Sequence, residues 1–82
     1  MYVILILEIK LKTCESRIEY VDENVIGPYE TQECHDAMQA LVDETIARGY
    51  FTEVKYRADN RVILSNGGSV TKMFFVERVD RR

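Results

Sequence analysis

Along residues 1–12, Val3, Leu5, Leu7, Ile9 and Leu11 share one parity and Glu8, Lys10 and Lys12 the other, the period-two alternation of a half-buried strand. Tyr2, Ile4 and Ile6 make the second parity apolar over the first half of that strand. This half is therefore expected to be a central strand or part of a subunit contact, with Tyr2, Ile4 and Ile6 as an exposed self-association surface. Beyond the polar residues 13–16, Ile18 and Tyr20 alternate with Arg17 and Glu19, predicting a second strand that returns antiparallel to the first. Asp22, Glu23 and Asn24 read as a break, and Val25 and Ile26 as a short extended continuation. Gly27-Pro28 then ends the pairing, because proline lacks an N–H donor and fixes its φ.

From Thr31 the period changes. Cys34, Ala37, Met38, Leu41, Val42 and Thr45 recur at intervals of three and four, which predicts a helix with one apolar stripe turned to a sheet. Thr31 can cap its start and Gly49 can end it, with Glu33 and Asp36 near the positive end of the dipole and Arg48 near the negative end. The opposite side collects Gln32, Glu33, Asp36, Gln39, Asp43 and Glu44. Three further strands follow, over residues 52–57, 61–64 and 70–79. Asp59-Asn60 makes a tight turn between the first two, and Ser65-Asn66-Gly67-Gly68-Ser69 a looser one before the last. The order β-β-α-β-β-β predicts a two-layer α+β domain spanning residues 1–82, an antiparallel sheet of about five strands with one helix on one face. One helix covers only part of such a sheet, and a homodimer is the commonest way to cover the rest.

Size narrows the function. A chain of 82 residues buries roughly 60% of its unfolded surface, enough for one modest core but not for a second domain or a large cofactor fold. Its formal charge of −3 conceals an uneven distribution. Residues 13–47 hold nine acids against Arg17 alone, and residues 48–82 hold eight bases against four acids. The apolar start lacks a basic leader and a small-residue cleavage pattern, is interrupted by Glu8, and is far shorter than the roughly 20 residues of a membrane span. A cytoplasmic location is expected, with Cys14 and Cys34 as reduced thiols.

The adjacent Cys34 and His35 suggest an activated nucleophile, but neighbours on a helix point about 100° apart, which leaves Cys34 on the apolar stripe and His35 at its margin. No zinc spacing joins Cys14, Cys34 and His35, and the Gly-rich stretch leads into a strand rather than a phosphate-binding helix start. A non-enzymatic protein without cofactor or metal is expected. The acids Asp22, Glu23, Glu33, Asp36, Asp43 and Glu44 form the candidate partner-binding set: either the helix acids only keep that face soluble, or, since like charges at close helical spacing cost stability, they are there to meet a basic partner. The competing set is Lys55, Arg57, Arg61 and Lys72, with Tyr50, Phe51 and Tyr56 among them, the mixture of cations and rings that sheets use on single-stranded nucleic acid. The negative overall charge disfavours that reading. Structural self-association is a third.

Ile26-Gly27-Pro28-Tyr29-Glu30-Thr31-Gln32-Glu33, an extended segment leading through Gly-Pro-aromatic into an acidic helix, resembles a pattern of small phage- and prophage-encoded proteins. It is also similar to the Gly-Pro-Phe start of peptidoglycan-binding SPOR domains, but those have a second helix and are exported. Compact acidic α+β phage proteins of this size are similar to anti-CRISPR and other host-interaction proteins. That resemblance implies a partner with a basic surface in the host cytoplasm, inhibited by blockade; it carries over no individual site residue.

Overall fold

A computed structural model describes residues 1–12 and 17–79. The polar connection at residues 13–16, with Cys14, and the tail at residues 80–82 lie outside the described residues. Strand β1 (Tyr2–Lys12) pairs with β2 (Arg17–Tyr29), α1 (Thr31–Ala47) follows, and β3 (Glu53–Arg57), β4 (Arg61–Ser65) and β5 (Val70–Arg78) complete the chain. The sheet order is β2-β1-β5-β4-β3 and every pairing is antiparallel. This is the expected two-layer α+β architecture, with one helix on one face.

Antiparallel partners point to the same side of a sheet, so the register decides which residues the helix covers. Ile4 pairs with Val76 and Ile6 with Phe74, Phe74 in turn pairs with Val62, and Ile26 of β2 lies across from Ile4. These even-numbered residues face α1. Ile4, Val62, Leu64 and Phe74 are almost fully buried with Cys34, Met38 and Val42 from the helix, and Phe51 and Val70 close one end of the core. Tyr2, Ile6, Ile26, Tyr29, Ala37, Leu41, Ile46 and Val76 pack around that centre.

The expected exposed patch is therefore inverted. Ile4 has no exposed surface, and Tyr2 and Ile6 pack against the core, while Val3, Leu5, Leu7 and Ile9 take the side away from the helix. The physical reason is coverage: the even parity of β1 is apolar only as far as Ile6, and Ile4 and Ile6 lie opposite Val76 and Phe74 of β5. Farther along, Glu8 pairs with Lys72 and Lys10 with Val70 at the margin of the core.

Strand β2 also departs from expectation. Asp22, Glu23 and Asn24 do not break it, pairing in register with Glu8, Leu7 and Ile6. Nor does Gly27-Pro28 end it, because the register shift between Tyr2 and Ile4 absorbs these residues on an outer strand, where proline's missing donor interrupts no second ladder. Gly27 has φ +140° and a Cβ there would lie 3.1 Å from the Tyr2 carbonyl oxygen and 3.2 Å from Val3 Cγ1, so the close crossing of β1 and β2 requires glycine. At the helix start the cap residue is Glu30 rather than Thr31; its side chain makes no cap bond, and its carbonyl accepts from the Cys34 N–H at 2.8 Å. Gly49 ends the helix as expected, at φ +82° with its N–H donating to the Ile46 carbonyl.

The inversion gives a direct test in dilute protein. Ile4→Ala should lower the unfolding free energy by about 2–5 kcal/mol, as for a fully enclosed side chain, and Leu7→Ala by about 1 kcal/mol or less. Urea denaturation of both variants checks this, and equal losses would contradict the assignment of faces.

Candidate functional site

The side of the sheet away from α1 is built in rows set by the register. Val25, Leu5, Phe75 and Arg61 form one row across β2, β1, β5 and β4, and Glu23, Leu7, Met73 and Ile63 form the next. Val21, Ile9 and Thr71 make a third, and Val3 beside Glu77 borders the other end. Leu5, Leu7, Ile9, Ile63, Met73 and Phe75 shield one another and are only half-buried, while Val21, Val25, Leu11 and Ile18 are more than two-fifths exposed. No element lies over these rows among the described residues. The molecule measures 44 × 29 × 17 Å, and its radius of gyration of 13.6 Å exceeds the roughly 12 Å of a compact chain this long, as expected of an open slab.

The acids selected from the sequence do not form one surface. Glu23 belongs to the uncovered face, beside Leu7, whereas Asp22 pairs with Glu8 on the helix side. On the helix, Arg57 reaches back from β3 to Asp43 (2.8 Å) and to the Gln39 amide oxygen (2.8 and 3.2 Å). Arg48 pairs with Glu44 at 2.7 Å, and the Gln32 amide donates to Asp36 at 3.0 Å. The sequence shows no cation within the helix before Arg48; the compensation for Asp43 comes from a strand fourteen residues later. Glu33 and Asp36 remain on the outer side of the helix without an ion-pair partner among the described residues.

The basic residues are dispersed in the same way. Lys55 pairs with Glu53 at 2.9 Å and Arg57 is committed to the helix. Lys72 lies on the helix side, 3.9 Å from Glu8 and near the rings of Phe51 and Phe74. Arg61 belongs to the uncovered face, with its guanidinium 4.7 Å from the Tyr56 ring centroid, and Lys55 is held to Glu53, which shares the row of Ser65 and Thr71 on that side. The four cations therefore present no common track for a phosphate backbone.

Other candidate chemistry is accounted for locally. His35 is half-buried and its Nδ1–H donates to the Asp59 carbonyl at 2.7 Å, tying the helix to the β3–β4 turn. That contact floors a shallow depression lined by Thr31, Gln32, His35, Asp36, Gln39 and Asp59. In the Gly-rich turn Asn66 Oδ1 accepts from the Gly68 and Val70 N–H groups, so those amides hold a hairpin. Among the described residues no group of three His, Cys, Asp or Glu side chains could hold a metal ion, and no helix is long and apolar enough to cross a membrane. Comparison of the chain with protein-family models, curated proteins and solved structures finds no match.

Cys34 has no exposed surface, and burial pushes its thiol pKa up, so the reactive thiolate is disfavoured. In a Cys14→Ser background, Cys34 should resist alkylation by iodoacetamide in the native protein at mildly alkaline pH and react once urea unfolds the chain. Rapid labelling of the native protein, followed by mass spectrometry, would show that the thiol is accessible after all.

Proposed function

We propose that this protein is a non-enzymatic association module that works through its uncovered sheet face. The observation that carries this reading is a contrast within β1. On the helix side, the strand turns to Glu8 and Lys10 at the margin of the core, as contact with water requires; on the uncovered side it stays apolar through Leu11. Contiguous apolar surface across four strands costs solubility unless a partner covers it, and patches larger than a few hundred Å² mark interaction sites. Glu23, Arg61 and Glu77 border this surface as a polar rim.

The test uses a tagged copy in its native cells. The wild-type chain should migrate in a species larger than the monomer in a fresh lysate, and Met73→Glu, at the centre of the face, should return it to monomer size without loss of its circular dichroism spectrum. A wild-type chain that migrates as a free monomer even in a lysate of cells cross-linked before lysis would overturn the reading.

A second reading rests on Glu33 and Asp36, the two helix acids without an ion pair among the described residues. In that reading they steer the molecule onto a basic surface of a host protein, in the manner of the anti-CRISPR-type inhibitors the sequence resembles. Replacing both with lysine should slow association with such a partner and remove its salt dependence, measured by stopped-flow mixing, while Asp43→Asn should have a smaller effect because Arg57 already neutralises it. Equal effects would count against it.

A further inference from the structure

Glu23 and Arg61 stand on opposite flanks of the uncovered face, with Glu77 at one end beside Val3. Glu23 stands on β2 beside Leu7; Arg61 stands on β4 beside Phe75, with β1 and β5 between them. Neither takes part in an ion pair among the described residues. Their rows are adjacent, one two-residue step apart along the strands, about 7 Å.

Resting on the association reading above, we propose that the occupant of this face is a second copy of this chain, stacked face to face about a two-fold axis running along the strands between β1 and β5. That rotation lays β2 of each copy over β4 of the other. Glu23 then lies against the partner's Arg61 on one flank and Arg61 against the partner's Glu23 on the other, while Leu5, Leu7, Met73 and Phe75 close the centre. A partner of uniform charge would satisfy one flank and repel the other; a second copy satisfies both with the same pair of residues, as a closed two-fold contact requires. The arginine side chain can span the one-row offset, and the angle of about 30° at which twisted sheets stack in aligned sandwiches brings neighbouring rows across one another.

The area is sufficient. Four strands about 4.8 Å apart and rows running from Val3 to Ile9 give a footprint of roughly 500 Å² per copy, or about 1,000 Å² for the pair, the lower bound for a specific interface. The dimer should therefore be reversible, dissociating on dilution.

Sedimentation velocity of the purified full chain tests this. The sedimentation coefficient should rise from monomer to dimer across micromolar concentrations. Glu23→Arg and Arg61→Glu should each weaken dimerisation by about tenfold or more, since each sets two like-charge contacts in the interface, and the double variant should recover most of that loss. Because both positions lie at the rim of an exposed face, these variants remain informative even if Met73→Glu fails to fold. A chain that stays monomeric at all concentrations would overturn the second copy as occupant. If its lysate complex is nevertheless lost in Met73→Glu, the association reading stands with a different partner. A dimer whose charge reversals fail to compensate one another would overturn the two-fold arrangement.

Discussion

The pairing of β1 with β5 is the contact on which the rest of this molecule depends. It runs in unbroken register from Tyr2 opposite Arg78 to Lys10 opposite Val70, joining the β1–β2 hairpin to the β3–β4–β5 meander. Without it, each half would be a two- or three-stranded ribbon with half a core. It also decides which side chains meet the helix, because a slip of one residue would exchange the faces of both central strands. With Ile6 opposite Phe74, the even positions of β1, β4 and β5 converge on Cys34, Met38 and Val42, and the odd positions are left without a second layer.

Much of this was legible from spacing alone. The helix announces itself through Cys34, Met38 and Val42 at intervals of four, and its end through Gly49, because both signals are local. The two turns at Asp59-Asn60 and around Gly67 are local for the same reason. The covered face of β1 was not legible. Its alternation favours the parity of Leu5 and Leu7 when the whole strand is counted, whereas the helix reaches only the stretch where Ile4 and Ile6 are equally apolar. Choosing between them requires the β5 register, a contact between the two ends of the chain. In strand β2 the turn-forming composition of Asp22, Glu23 and Asn24 is overridden by the β1 ladder that holds them extended, a contact no local pattern shows.

The charge pattern shows the same division between local and long-range information. Summed along the sequence, the acids of residues 13–47 look like one uncompensated surface. The fold distributes them: Asp43 meets Arg57 across the helix–sheet boundary, Glu8 and Asp22 lie side by side with Lys72 next in the row, and Glu23 turns to the opposite side. Exposed pairs such as Arg57–Asp43 contribute about 0–1 kcal/mol each, so their effect is less on stability than on the field the molecule presents. On the helix side, bases from the second half of the sequence meet Asp43 and Glu44 but leave Glu33 and Asp36 without an ion pair among the described residues. The uncovered face keeps Glu23 and Arg61 at opposite flanks, with Glu77 beside Val3 at one end.

That residual pair changes how the open sheet should be understood. A lone apolar face invites promiscuous contact, because hydrophobic burial is non-directional and any comparably flat apolar surface satisfies it. Charges at the flanks add direction: an incorrectly oriented partner must strand Glu23 or Arg61 against apolar or like-charged surface, and an unpaired charge at an interface costs more than its pairing contributes. Both outer strands add their own restraint, β2 through Asp22, Glu23 and Pro28 and β3 by its length of five residues, so that lengthening the sheet edge to edge is disfavoured relative to stacking on its face. Under the proposed association, contact would thus concentrate on the surface that the single helix of a two-layer fold leaves uncovered.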